Sequence, residues 1–86
     1  MTRRLTGDRF SLLHEQVVSL RAVLAQSAAA VADTSDKVAA THECAARSRP
    51  RDAARLREMA SAARRRAATE REHARRFRLA GQLPRR

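Results

Sequence analysis

The chain has no tryptophan, no tyrosine and only two phenylalanines, Phe10 and Phe77, so the large apolar side chains that fill a globular core are scarce. At 86 residues it forms one domain at most, and a chain of that size buries a modest share of its surface. Glycine and proline are nearly absent as well. Gly7, Pro50, Gly81 and Pro84 stand near the ends and in the middle, which leaves two long uninterrupted segments. Both are rich in alanine, arginine, leucine and glutamate, residues that favour helix over strand. The lone Cys44 excludes an intrachain disulfide, and no apolar run is long enough for a secretory signal or a membrane span. A soluble, intracellular and cytoplasmic protein is the expectation. Arg3 and Arg4 would suit an organelle transit sequence, but Asp8 and Glu15 follow too soon.

What is present is periodicity. Phe10, Val17, Leu24, Val31, Val38 and Ala45 recur every seven residues, with Leu13, Leu20, Ser27, Thr34 and Thr41 as the companion line. Taken as positions a and d of a heptad, they predict a first helix over about 8–47, with Asp8 as its N-cap. "RSRPRD" should break it, Ser48 capping the next helix and Pro50 standing in its first turn. A second helix over about 49–80 repeats the period, with Ala53, Ala60, Ala67 and Ala74 at a and Leu56, Ala63, Glu70 and Phe77 at d. Gly81 and Pro84 mark its end. Residues 1–7 are then a flexible N-terminus and 81–86 a basic tail.

A connection this short forces the helices antiparallel, so the predicted fold is an all-α, coiled-coil-like hairpin. Folding at residues 48 and 49 sets Val38 against Ala60, Val31 against Ala67 and Leu20 against Phe77, with Glu70 opposite Ser27. Large residues on one helix thus meet small ones on the other. Phe10, Leu13, Val17 and Val18 project past the end of the second helix, covered at best by Leu79 and Leu83. A further line, Val18, Ala25, Ala32, Ala39 and Ala46, lies where a solvated helix carries charge. Both features mark an interface, and an alanine-rich hairpin is a weak fold by itself. A homodimeric four-helix bundle or a docked protein partner is expected.

The positive charge is lopsided. Residues 1–46 carry five basic and five acidic side chains, whereas 47–86 carry fourteen arginines against four acids. Arg57, Arg64, Arg71 and Arg78 share heptad position e beside the seam. On this register most acids of the first helix (Asp8, Glu15, Asp36, Glu43) point away, so the stripe has no intramolecular counter-charge. It serves as a solvated flank, as a nucleic-acid contact or as a docking face for an acidic protein surface. "AARRRAATEREHARRF" has the look of a basic DNA-binding helix, yet it lacks an asparagine to read a base edge and holds Glu70 and Glu72 in mid-stripe. The alanine face of the second helix would insert weakly into a membrane surface.

Catalysis and metal binding find little support. His42 and Cys44 lie two apart, so on a helix they point in directions about 200° different and cannot chelate one ion together. There is no phosphate-cradling glycine loop, no HExxH and no nucleophile with a base and an orienting group. No catalytic residue, metal or cofactor is expected. The chain is expected to be a small interaction or regulatory adaptor, or alternatively a basic nucleic-acid-binding accessory protein.

Overall fold

A computed structural model describes the backbone of residues 2–82 and the side chains of residues 7–80. Those residues form two long helices and no strand: α1 (Thr2–Ser48), a single 3₁₀ turn (Pro50–Asp52) and α2 (Ala53–Gln82). The helices pack against each other as a hairpin 74 Å long and 17 by 12 Å across.

The break between them is local chemistry. The Arg49 amide donates to the Ala45 carbonyl at 2.9 Å, closing the last turn of α1. Arg49 itself leaves the helix, at φ −128° and ψ 79°, as the residue before a proline must to avoid the ring. Pro50 then starts the 3₁₀ turn, where its missing N–H costs nothing. The Asp52 amide donates to the Arg49 carbonyl at 3.0 Å. Ser48 is the last residue of α1 and not a cap; the capping position falls to Arg49, which makes no side-chain bond there. The first helix also begins earlier than its Asp8 signal implies, at Thr2, so 2–7 belong to it. The second runs through Gly81 to Gln82, and the rest of the basic tail, 83–86, lies outside the described residues.

The seam is made of methyl groups. Ala25, Ala28, Ala32, Ser35, Ala39 and Ala46 are buried on α1, and Ala53, Leu56, Ala60, Ala67 and Ala74 on α2. For α2 these are the expected a and d positions. For α1 they are not: the inward lines are Val18–Ala25–Ala32–Ala39–Ala46 and Arg21–Ala28–Ser35–His42, buried in their middle and half-buried at Val18, Arg21 and His42, each one residue beyond an expected seam line. One residue is a rotation of about 100°. Ala32 and Ala39 are fully buried, whereas Val31 and Val38 next to them are more than two-fifths exposed. Small residues win the seam because they let two helix backbones approach closely along their whole length.

Ala46 packs with Ala53 and Leu56 at the turn. Stepping seven residues along each helix from there sets Ala39 level with Ala60, Ala32 with Ala67 and Ala25 with Ala74. The expected pairings of Val38 with Ala60 and Val31 with Ala67 are therefore displaced by one position. By the same stepping Gln82 is level with Val17, so α1 continues beyond the described end of α2.

A candidate interaction surface on the first helix

The rotation of α1 reassigns every other line on its surface. Its acids at the former f positions move to the flank of the seam, beside the arginines of α2. Arg64 contacts Glu43 at 2.6 Å and Asp36 at 3.5 Å; Arg71 contacts Asp36 at 2.5 Å and Asp33 at 3.2 Å. These five side chains form one ladder across the hairpin. The Arg71 guanidinium is held more firmly protonated than usual, first by its hydrogen bond to Asp36 and then by the charges of Asp36 and Asp33. The expectation of an arginine stripe without intramolecular counter-charge is thus corrected at Arg64 and Arg71.

Arg57 and Arg78, the ends of that stripe, have no ion-pair partner among the described residues. The flanking line of α1 explains why. It reads Glu15, Ala22, Ala29, Asp36, Glu43, so continuing the rungs by seven sets Arg78 at Ala29 and Arg57 at Pro50 in the turn. Elsewhere on α2, Glu72 is shared by Arg75 at 2.8 Å and Arg76 at 3.3 Å. Its carboxyl lies below the usual range, chiefly through the hydrogen bond from Arg75 and then the charges of Arg75 and Arg76.

The opposite flank is apolar. Phe10, Leu13, Val17, Leu20, Leu24, Val31 and Val38 all stand exposed on α1, from 39% at Leu24 to 67% at Phe10. Between this ridge and α2 runs an open groove of about 600 Å³ lined by Ala30, Val31, Thr34, Val38, Ala62 and Ala63, with Arg66 at its rim. Met59 is exposed on α2 towards the turn. Farther along the same face of α1, the Thr41 hydroxyl donates to the Lys37 carbonyl of its own helix at 3.0 Å, so it makes no demand on a neighbour.

Of the four residues expected to project as an interface, the structure brings three together: Phe10, Leu13 and Val17 lie on the ridge. Val18 does not join them. It is half-buried on the seam line and belongs to the hairpin's own packing. Val31, Val38 and the groove beside them extend the surface well past Val17, a continuation the heptad pattern conceals by placing both valines in the seam. Leu79 is more than half exposed and so lies open to solvent, and Leu83 lies outside the described residues. Cys44 is a free, exposed thiol near the turn. Among the described residues no three of His, Cys, Asp and Glu are grouped as metal ligands would be, and no helix is long and apolar enough to cross a membrane.

No family model, no curated protein and no solved structure matches the chain.

Proposed function

We propose that the chain is a non-enzymatic interaction or regulatory adaptor, an antiparallel coiled-coil hairpin that works in the cytoplasm through protein–protein contacts made by the outward face of α1. One observation carries this reading. The hairpin spends its alanines on itself and leaves its large apolar side chains, Phe10 to Val38, in solvent. An apolar ridge of that length is more than a soluble monomer ordinarily exposes, and covering each of these half-exposed side chains is worth roughly half of the ~1.5–3 kcal/mol gained by burying a fully exposed one. The two apolar lines of α1 diverge by about 100°, close to the right angle between neighbours in a four-helix bundle, so a bundle is the assembly this helix suits.

Its test compares the protein with a Phe10→Glu, Leu13→Glu variant. Circular dichroism should be nearly unchanged, because both residues are exposed. Sedimentation, together with co-purification from the native cell, should show a stoichiometric complex, with itself or another protein, that the variant loses. A parent protein that sediments as a stable monomer and co-purifies with nothing in stoichiometric amount sinks the reading.

A second reading, a phosphate-binding accessory protein, is favoured by the turn and not by the stripe. Arg47, Arg49, Arg51, Arg55 and Arg57 are all exposed around the hairpin's closed end, with Asp52 the only acid among them. None takes part in an ion pair among the described residues. Affinity for a random DNA duplex, followed from about 50 to about 200 mM salt, tests it. Under this reading, changing Arg47, Arg49, Arg51 and Arg55 to Gln flattens the salt slope; an unchanged slope excludes the turn as the contact.

A further inference from the structure

We propose that the occupant of the apolar ridge is a second copy of this chain, lying antiparallel to the first about a two-fold axis at Leu24. The inference rests on the assembly reading above and names its partner.

Self-complementarity is the main ground. Reversing α1 about Leu24 sets Phe10 against Val38 of the second copy and Val17 against Val31, with Leu24 meeting Leu24. On the companion line the same operation brings Leu13 level with Ser35, beside Thr34, and Leu20 level with Ala28, beside Ser27. Each leucine therefore faces a small side chain, and each layer of the first line stays apolar on both sides. A parallel pair would instead stack Ser27 on Ser27 and Thr34 on Thr34, and would leave the two phenylalanines together at a bare end.

Length and shape agree with this. The part of α1 past the described end of α2, residues 7–16 among those with described side chains, carries Phe10 and Leu13. In the antiparallel arrangement that overhang lies along residues 32–41 of the second copy, where the hairpin is complete. Phe10 and Leu13 then arrive at the groove beside Thr34, Val38 and Ala62, and Met59 is close to level with Val38. Each copy's unsupported end is thus covered by the other's supported one.

The area is of the order a pair needs. Phe10, Leu13, Val17, Leu20, Val23, Leu24, Val31, Val38 and Met59, at their exposed fractions, present on the order of 700 Å² of apolar surface per copy, against ~800 Å² per partner in a standard interface.

Cysteine cross-linking tests both the occupant and the direction. In a Cys44→Ser background, Leu24→Cys places two thiols at the axis, where they can meet the Cα separation of ~4.4–6.8 Å that a disulfide requires. Two Phe10→Cys thiols would be about 42 Å apart along the helix, at 1.5 Å per residue, and cannot join within a dimer. The proposal expects sedimentation at twice the chain mass and a covalent dimer from Leu24→Cys. It also expects none from Phe10→Cys alone, and a cross-link when Phe10→Cys is mixed with Val38→Cys. Self-cross-linking of Phe10→Cys with a dimeric mass means a parallel pair and overturns the proposal. A monomeric mass overturns it as well, while an adaptor that engages a different protein still stands on its own co-purification test.

Discussion

Arg64 holds Glu43 with two nitrogens on one oxygen: Nε donates to Oε1 at 2.7 Å and Nη2 lies 2.6 Å from the same atom. The pair joins α2 to α1 and sits in a ladder with Asp36, Arg71 and Asp33. Its geometry is that of a charge-assisted bond, but both side chains are well exposed, so solvent screening keeps the gain small.

A charge swap should expose this coupling. Arg64→Glu places a third carboxylate against Glu43 and Asp36 and should lower the thermal midpoint at low salt. Adding Glu43→Arg should recover part of the loss, with a coupling of about 0.2–1 kcal/mol. Thermal melts followed by circular dichroism at low and high salt measure it. A double variant that melts with the single one would show that this contact does not hold the helices together.

Substitutions one residue apart on α1 should behave as opposites. Ala32→Leu inserts a large side chain into a fully buried position and should cost roughly 1–3 kcal/mol by forcing the helices apart. Val31→Ala removes an exposed side chain, so its effect should appear only where the protein is assembled and should fade on dilution. Denaturant unfolding at several protein concentrations separates the two. Equal losses at all concentrations would return Val31 to the seam.

Acid should reveal the Glu72 cluster. Its carboxyl is depressed by Arg75 and Arg76, so its contribution is complete above the ordinary value of 4.5 and is lost as the pH falls through the lower, folded value. Arg75 is pushed up by the same hydrogen bond and stays charged throughout. Melts between about pH 7 and about pH 3 should fall less steeply for Glu72→Gln than for the parent. Parallel curves would mean that Glu72 gains nothing from its neighbours.

Gly7 offers a test of where α1 begins. It is a helical position with open space around it, and a methyl group there would meet nothing within 4 Å. Gly7→Ala should therefore raise helicity and stabilise the end of α1 by up to about 0.5–1 kcal/mol. If helicity is unchanged, the helix starts at Asp8, where its capping residue stands.

The heptad spacing, the break at Pro50 and the whole register of α2 were legible in the residues, because alanines at Ala53, Ala60, Ala67 and Ala74 leave α2 one coherent face. On α1 two lines of the same period lie side by side, one large and one small. Hydrophobicity favours Val31 over Ala32, yet close approach of two backbones favours Ala32, and period alone cannot choose between them. The misassignment carried over to charge: with α1 turned by one residue, Asp36 and Glu43 pass from the far side to the flank, and the supposedly free stripe loses its middle. The apolar ridge is legible at Phe10, Leu13 and Val17 only, since the heptad pattern places Val31 and Val38 inside the hairpin.

An alanine every seven residues on both helices makes the seam nearly indifferent to a slip of one heptad, since Ala39 would meet Ala67 as comfortably as it meets Ala60. Nothing in the shape of the methyl groups forbids that slide. The ion-pair rungs repeat with the same period, since Arg71 and Arg78 would reach Glu43 and Asp36 as Arg64 and Arg71 do now, so the alignment is written into the tight turn from Arg49 to Asp52. The hairpin is therefore a zip with identical teeth. A cut at the turn would leave the two halves free to slide by a notch.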